Sequence, residues 1–388
     1  MKILFIASRF PYPPLQGDRV RAYNQLRILS ERHQITLVAP PEKEAEQNLA
    51  AIKPFCHHVE LVTPKLWRQL LQMGRAPFTN IPLQTLYCLD PELPAKLNFL
   101  VQTEVFDIAH VQLARLGPLA DSLGSLPKLL DLIDALSLNM QRRADEERFP
   151  KSWVFQLEAK RMARYEQYLT QQYDHLLISS PLDQKIIGDY KNLHVVRNGV
   201  DLNRYPFTPT GRDSFSIVFS GRMGYFPNAN AAVWFATKIF PLIRQTVPQV
   251  TCFIVGADPT PAVKQLAGLP GITVTGYVPQ IQDYLTQATL AVAPMLTGSG
   301  GQLKVLEALA CGTPMVATPF ALGGIEAIDG EHLLVAKEAE PFAQHVIRLL
   351  KSPTLGQKLA QHGRQLVEKK YSWQYSVEEL EKVYQLMV

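Results

Sequence analysis

The residues with the clearest chemical potential stand together in the segment 294–314, PMLTGSGGQLKVLEALACGTP. Its glycines, which include Gly300 and Gly301, let the backbone turn tightly and approach a ligand immediately before a predicted helix. The first N–H groups of that helix have no intrahelical partner, so the segment is typical of a phosphate-binding loop. Lys304 and Glu307 follow three residues apart and therefore project from one face of the helix.

A cation beside the phosphates and a carboxylate one turn deeper suit a nucleoside diphosphate, with Glu307 accepting hydrogen bonds from the ribose diol. The alternative is an ordinary connection followed by a helix with a lysine and a glutamate on its surface. The glycines, the cation and the carboxylate all follow a predicted strand, TLAVAP, and this position favours the binding interpretation.

Strands and helices that could position this segment alternate along the chain. The strands KILFIA and ITLVA flank the amphipathic stretch DRVRAYNQLRILSERH, which predicts a right-handed βαβ unit. Further strands are predicted at FDIAHVQL, PKLLDLI and HLLIS, and later at FSIVFSG, TCFIVG, ITVTG, TLAVAP and PMVAT. The pattern predicts an α/β protein with two doubly wound parallel sheets, each buried on both faces.

A polar, turn-rich segment near residue 200 separates the two alternating halves. It predicts a first domain over residues 1–200, a connector over 201–214, a second domain over 215–370 and a C-terminal helix over 371–388 that packs back toward the first domain. Ligands of such sheets bind at the carboxyl ends of the strands, so we expect a site in a cleft between the domains.

Composition excludes several functional classes. The 388 residues carry 39 basic and 35 acidic side chains, and a net charge of +4 argues against a dedicated nucleic-acid binder. No stretch approaches the roughly 18 to 20 apolar residues of a membrane-spanning helix, and the apolar start meets Arg9 too soon for a signal peptide, so a cytoplasmic protein is expected. The cysteines stand too far apart to indicate a disulfide framework or a zinc site: Cys56, Cys88, Cys252 and Cys311.

Over almost its whole length the chain resembles the retaining glycosyltransferases of the GT-B fold, family 4 (glycosyl transferases group 1). The resemblance is carried, in order, by KILFIASRFPYPPLQGD, NGVDLNRY, FSGRM, VTGYV and above all LKVLEALACGTPMVAT. It implies two Rossmann-like domains facing a cleft, with the acceptor held by the first and a nucleotide-sugar donor held mainly by the second. It also implies sugar transfer with retention of anomeric configuration, no cofactor and no obligatory metal.

The resemblance assigns donor contacts to particular residues. Gly17, Arg222, Gly300, Gly301 and Lys304 fall at the diphosphate, Glu307 at the ribose, Ser299 and Gln302 at the donor sugar, and Tyr277 and Val278 at the nucleobase. Two positions depart from the family pattern. Ser299 replaces the first glutamate of the usual E-x7-E, and Pro227 replaces a lysine that usually follows Arg222. Lys304 is the candidate for the missing cation, because the pyrophosphate charge needs compensation as the bond to the sugar breaks.

The candidate catalytic residues of the first half are His110, Gln112 and Asp134. His110 and Gln112 leave the same face of one strand, where related enzymes often carry two histidines. Because Gln112 cannot take a proton, we expect the departing phosphate oxygen to remove the acceptor's proton while Gln112 or His110 orients groups. Asp134 or Asp131 could fix acceptor hydroxyls or act as a base. The structural alternatives are a buried strand histidine and a helix-capping aspartate.

A membrane contact is suggested by residues 61–89, where Trp67, Leu70 and Leu71 form an apolar stripe bordered by three cations and no acidic residue. Residues 151–164 add a second basic and aromatic segment. The pattern predicts reversible peripheral contact with an anionic membrane, at the inner face of the plasma membrane. A solvated helix face is the alternative.

Other functions stay open at this point. A sugar-nucleotide epimerase could use the same paired sheets, and a non-catalytic nucleotide-sugar-binding or scaffold protein is favoured by Ser299 and Gln112. The residues predicted to bind the phosphates and the ribose are intact, and they favour sugar transfer. We expect this reaction to use a saccharide or lipid-linked acceptor and to serve bacterial surface polysaccharide or glycoconjugate synthesis. The sequence discloses neither the sugar, the base, the acceptor nor the oligomeric state.

Overall fold

The computed structural model describes residues 1–15, 17–42, 45–297 and 303–388. Two compact units divide the chain, one of Met1–Arg197 with Ser376–Val388 and one of Asn198–Tyr375. Each unit is built around its own parallel sheet. The prediction of two Rossmann-like α/β domains is confirmed.

The first unit contains a sheet of seven parallel strands among the described residues. These are β1 (Lys2–Ile6), β2 (Gln34–Ala39), β3 (His58–Leu61), β4 (Ile108–Gln112), β5 (Lys128–Ile133), β6 (His175–Ile178) and β7 (Leu193–Val195). Their spatial order is β3-β2-β1-β4-β5-β6-β7. Every residue of β4 is buried, as expected for a strand covered on both faces. The sequence did not predict β3 and β7, which are short edge strands with little apolar alternation.

Helices follow most of these strands in the first unit. They are α1 (Gly17–Leu29), α2 (Ala45–Ile52), α3 (Leu66–Met73), α4 (Leu83–Cys88), α5 (Glu92–Thr103), α6 (Leu136–Glu146), α7 (Lys151–Leu169) and α8 (Pro181–Ile187). The predicted apolar side of α1 is only part of its buried face. Leu26 and Leu29 are buried, but the polar Arg21 and Gln25 are completely buried as well.

The second unit has six parallel strands within the part of the chain that is described. They are β8 (Ser216–Ser220), β9 (Thr251–Val255), β10 (Ile272–Gly276), β11 (Leu290–Ala293), β12 (Met315–Ala317) and β13 (Leu334–Val335), in the order β10-β9-β8-β11-β12-β13. The helices are α9 (Phe226–Trp234), α10 (Phe240–Thr246), α11 (Pro261–Gln265), α12 (Ile281–Gln287), α13 (Leu303–Ala310), α14 (Pro319–Leu322), α15 (Ala339–Lys351) and α16 (Pro353–Lys370), and a last helix, α17 (Trp373–Gln385), begins at the end of this unit and continues into the first.

The strand order reverses once in each sheet, between β1 and β4 in the first unit and between β8 and β11 in the second. At such a point the connections leave toward opposite sides of the sheet, and a crevice opens at the carboxyl ends of the two strands. The segments that follow β1, β4, β8 and β11 are therefore the ones placed to contact ligands.

The boundary between the units differs from the predicted one. It falls between Arg197 and Asn198, and the predicted connector, residues 201–214, belongs to the second unit. Phe207 packs against Gly312, where an added Cβ would lie 2.5 Å from the ring, so this segment is bound to the second unit's own core. The chain crosses again after Tyr375, and most of α17 belongs to the first unit.

Two further sequence expectations concern membranes and cysteines. No helix among the described residues is both long enough and apolar enough to cross a membrane. Cys252 and Cys311 are buried, whereas Cys56 and Cys88 are half-buried, and all four are free thiols.

Candidate functional site

Arg222 lies at the carboxyl end of β8, at the reversal point of the second sheet. Its guanidinium donates to the Asp258 carboxylate from Nε (3.0 Å) and lies 2.9 Å from it through Nη2. The Arg222 side chain is 57% exposed, so a strongly hydrated ion pair of this kind contributes little to stability. The partner of Arg222 is thus a carboxylate of the same unit, and the exposed cation is accessible to an anionic ligand.

Lys304, in the first turn of α13, reaches back toward the loop that follows β8. Its ammonium donates to Oδ1 of Asn228 at 2.9 Å and lies 3.6 Å from the Met295 sulfur. The amide of Asn228 in turn donates to the Arg222 carbonyl oxygen at 3.0 Å. Asn228 therefore links the two candidate diphosphate-binding cations. Burial lowers the pKa of Lys304 to about 8.

Gly221 makes this arrangement possible. Its φ is +151°, and a Cβ there would lie 2.9 Å from Nδ2 of Asn228 and 3.3 Å from Cε of Lys304. Any larger residue would collide with Asn228 and strain the backbone as well. The glycine thus lets Asn228 and Lys304 approach the end of β8.

Glu307, one turn after Lys304, accepts a hydrogen bond from the Tyr205 hydroxyl at Oε1 (2.7 Å). Burial raises the pKa of the Glu307 carboxyl, and the opposing influences are the Tyr205 hydrogen bond and the charges of Arg204 and Lys304. The sequence placed Lys304 and Glu307 on one helix face. It did not reveal Asn228 and Tyr205, which lie 76 and 102 residues away along the chain from their partners.

Of the remaining residues predicted to contact the donor, only some lie within the described part of the chain. Tyr277 follows β10 and its side chain is 67% exposed, while Val278 packs partly against the core of the second unit. The strand β10 lies two positions from β8 in the sheet, at the same carboxyl edge. The predicted contacts of the glycine-rich loop lie outside the described residues: Ser299, Gly300, Gly301 and Gln302.

In the first unit, Gly17 and Gln112 meet at the reversal point between β1 and β4. Helix α1 begins at Gly17, and an added Cβ there would contact nothing within 4 Å. The buried Gln112 donates from Nε2 to the backbone oxygen of Asp18 at 3.0 Å. Gln112 therefore ties the end of β4 to the start of α1. Asp18 lies in the first turn of α1.

His110 is completely buried in the first unit. Its Nδ1 lies 2.6 Å from the Tyr384 hydroxyl, and its ring stacks on Phe5 with centroids 4.4 Å apart. Burial lowers the pKa of His110, against the influence of Asp131, whose carboxylate lies 3.8 Å from Nε2. These contacts favour the structural alternative, because no face of the ring is open to a substrate.

Asp131 forms a buried ion pair that the sequence did not predict. Its Oδ2 lies 2.6 Å from Nε of Arg21 and accepts from Gln25 at 3.2 Å. Both charged side chains are fully buried. Burial alone would raise the pKa of Asp131, but Arg21 and His110 hold it well below its usual range. The sequence indicated an amphipathic α1, in which an arginine is expected to face solvent, so Arg21 was not singled out.

Asp134 follows β5 and accepts from the Ser179 hydroxyl at 3.1 Å. Burial raises its pKa, and the neighbouring Asp183 has a pKa raised to about 7 by burial and by the charge of Asp134. Glu166, whose pKa burial also raises to about 7, accepts from the Ser137 hydroxyl. The carboxyl edge of β5 therefore carries carboxyl groups that hold protons more readily than exposed ones.

Comparison with known proteins supports the sequence resemblance. Residues 214–352, all within the second unit, match the family described as glycosyl transferases group 1. An uncharacterized 44.6 kDa protein in the cps region of Klebsiella pneumoniae is 21% identical over 95% of this chain and 96% of its own length. A D-inositol 3-phosphate glycosyltransferase of Mycolicibacterium smegmatis is 29% identical over 55% of this chain and 53% of its own length.

Solved structures with the same fold cover the whole chain. Sucrose-phosphate synthase from Thermosynechococcus elongatus has a TM-score of 0.73 at 16% identity and is covered over 98% of its length. The Anabaena protein HepE, in complex with UDP and glucose, has a TM-score of 0.72 at 15% identity and is covered over 100%. The fold is that of the GT-B glycosyltransferases. The second unit, more particularly, matches glycosyl transferases group 1, and together these comparisons support a glycosyltransferase.

Proposed function

We propose that the protein transfers a sugar from a nucleotide-diphosphate donor to a saccharide or lipid-linked acceptor with retention of anomeric configuration. The observation that carries the proposal is the grouping of Arg222, Lys304 and Glu307 around the reversal point of the second sheet. Two cations and a carboxylate at the carboxyl ends of parallel strands suit a nucleoside diphosphate.

Each donor residue has a distinct role in this proposal. Arg222 and Lys304 bind the diphosphate, and their positive charge stabilises the negative charge that develops as the bond to the sugar breaks. Glu307 accepts from the ribose diol, while Tyr277 and Val278 lie where the base is read through backbone groups. Ser299, Gly300, Gly301 and Gln302 complete the contacts to the phosphates and the donor sugar.

We propose that the first unit holds the acceptor and that Gly17, which has no side chain, lets the acceptor come close to the diphosphate. The departing phosphate oxygen takes the acceptor's proton, so that no metal or cofactor is required. Gln112 supports this step indirectly, because its amide fixes the start of α1 through Asp18. Asp134 is the remaining candidate for contact with acceptor hydroxyls, since its carboxyl follows β5 and already accepts from the Ser179 hydroxyl.

Two relatives support the details of this proposal. The HepE structures are complexes with UDP, which favours a nucleotide-sugar donor here. The Klebsiella protein comes from a cps region, which favours a role in polysaccharide synthesis.

A panel of UDP-, GDP- and ADP-sugars tests the donor assignment. The donor that binds should raise the thermal stability of the protein and be converted slowly to its nucleoside diphosphate. Glu307→Ala should weaken that binding at least tenfold, because the ribose hydroxyls lose a charged acceptor. Glu340→Gln, an exposed change at the start of α15, is the control and should leave binding unchanged. Equal donor affinity of the Glu307 variant and the wild type would refute the ribose assignment.

We also propose peripheral contact with an anionic membrane through residues 61–89. On α3 the side chains of Leu66, Trp67, Leu70 and Leu71 are between 57% and 66% exposed. The backbone N–H of Leu83, at the start of α4, donates to Glu158 on α7 at 2.7 Å, and the Trp153 residue of α7 is also exposed. Several exposed apolar side chains grouped on one helix are typical of an interaction site.

The cations of this surface are partly neutralised, since Lys65 and Arg68 lie within ion-pair distance of Glu92. We therefore expect apolar burial to contribute more than charge. Leu70→Ser with Leu71→Ser should reduce sedimentation with phosphatidylcholine and phosphatidylglycerol vesicles, whereas Val105→Ser, an exposed change elsewhere in the first unit, should not. Sedimentation that is the same for both variants would remove the membrane assignment.

A further inference from the structure

Tyr205 lies in the segment that the sequence predicted to be a connector, yet it is part of the second unit's core. Its ring is 5% exposed, and its hydroxyl points at the candidate ribose-binding group, donating to Oε1 of Glu307 at 2.7 Å. Tyrosine thus supplies a buried ring for packing and one hydroxyl donor at the edge of the site.

The backbone of Tyr205 is fixed to the same helix as its hydroxyl. Arg364 donates through Nη1 to the Tyr205 carbonyl oxygen at 3.0 Å and to the carbonyl oxygen of Ala310, the last residue of α13, at 2.7 Å. Three residues further on, the N–H of Thr208 donates to the Cys311 carbonyl oxygen at 3.0 Å. Tyr205 is therefore held against α13 at its main chain and at its hydroxyl.

This geometry restricts the Glu307 side chain. A glutamate has three rotatable bonds, and a free carboxylate at the edge of a site would sample several rotamers. The hydrogen bond to a charged acceptor from a rigid, buried donor selects one of them. Among the described residues, that bond engages Oε1, so Oε2 is the oxygen left to face a ligand.

We propose that Tyr205 is a positioning residue of the donor site, which fixes the Glu307 carboxylate so that Oε2 accepts from the ribose diol. The inference rests on the proposed function, because it assigns Tyr205 a role through Glu307. Tyr205 itself does not touch the donor.

The same hydrogen bond influences the charge of Glu307. Arg204 and Lys304 are the cations that face this carboxyl, and the Cys311 thiol lies nearby as a neutral group, since burial raises its pKa to about 12. Burial raises the pKa of Glu307 and the Tyr205 hydroxyl lowers it. Removing the hydroxyl should therefore raise this pKa, and the carboxylate should be lost at a higher pH than in the wild type.

Tyr205→Phe tests the inference, because it keeps the packed ring and removes only the hydroxyl. The full-length variant is titrated with UDP, GDP and ADP over a range of pH, by calorimetry. For the nucleotide that the wild type binds, we expect about a tenfold loss of affinity near neutral pH and a shift of the acidic fall in affinity to higher pH. Tyr173→Phe is the matched control. It removes another buried hydroxyl, which donates to the Gly117 carbonyl oxygen in the first unit. This variant should change neither the nucleotide affinity nor its dependence on pH.

A double-variant cycle separates positioning from a general structural effect. If Tyr205 acts through Glu307, the pair Y205F/E307Q should bind no more weakly than E307Q alone. Additive losses, or a loss of affinity in Y205F without a shift of its pH profile, would overturn the inference.

The failure of the inference differs from the failure of the proposed function. If E307Q weakens nucleotide binding and Y205F does not, Tyr205 has no positioning role and the donor site stands. If the folded wild type binds none of the three nucleotides, or E307Q binds as well as the wild type, the ribose assignment falls and the inference falls with it.

Discussion

The buried ion pair of Arg21 and Asp131 leads to the prediction with the largest effect on stability. Asp131→Asn keeps the size of the side chain and removes its charge. The guanidinium of Arg21 then stays in a fully buried position without its 2.6 Å partner, and the Ile133 N–H loses a charged acceptor at 3.1 Å. A buried charge that loses its carboxylate partner is destabilised, because the protein interior solvates a charge far less than water does.

The expected loss of unfolding free energy in Asp131→Asn can be estimated. Removing one partner of a buried ion pair typically costs about 3–5 kcal/mol of unfolding free energy. For a unit of this size about 1 kcal/mol shifts the melting temperature by roughly 2–4 °C, so the first unit should melt roughly 6–20 °C lower. The exposed pair of Glu379 and Lys382 offers a control in the same unit, and Glu379→Gln should cost less than about 1 kcal/mol.

Urea unfolding followed by circular dichroism, on both variants and the wild type, measures these differences. A second variant with leucine at both positions 21 and 131 should recover part of the loss, since it removes the charge and its partner together. A change of less than about 1 kcal/mol for Asp131→Asn would show that Arg21 finds water or another acceptor, and would refute the reasoning from burial.

Three further predictions concern the donor site and pH. Because burial lowers the pKa of Lys304 to about 8, affinity for the nucleoside diphosphate should fall as the pH rises through 8, and calorimetry on Lys304→Met should show weaker binding without that fall. Gly221→Ala should weaken the same binding at least tenfold, since a Cβ would displace Asn228, and the thermal shift with UDP, GDP or ADP measures it. Glu166 has a pKa raised to about 7 from an ordinary 4.5, so the folded state holds its proton longer than the unfolded state. Stability should therefore fall as the pH rises from about 4.5 to about 7, and Glu166→Gln should flatten this fall in urea titrations at several pH values.

Much of the fold followed from local pattern. Alternating apolar strands and amphipathic helices are typical of parallel α/β sheets, and the structure has both sheets. The edge strands His58–Leu61 and Leu193–Val195 were missed because each depends on pairing with a neighbour rather than on its own apolar run. Residues 201–214 look polar and turn-rich and were therefore predicted to be a connector, whereas they belong to the second unit, where Tyr205 is buried.

The candidate site was predictable where its residues are close in sequence. Lys304 and Glu307 lie one turn apart on one helix, and helical geometry alone brings them together. Their partners Asn228 and Tyr205 come from distant segments, and only the tertiary fold joins them. His110 was selected for its residue type, but its partner Tyr384 lies 274 residues away, and that contact encloses the ring.

The division of the chain into units has a consequence for biosynthesis. The second unit is one uninterrupted stretch, Asn198–Tyr375, whereas the first needs residues from both ends of the chain. As a ribosome makes the chain from its amino end, the whole second unit emerges before Ser376–Val388 does. During that interval the first unit lacks Glu381, the partner of Arg32 and His33, and Tyr384, the partner of His110. The unit that begins first is therefore completed after the other, and its buried histidine gains its hydroxyl partner only once the second unit has been synthesised.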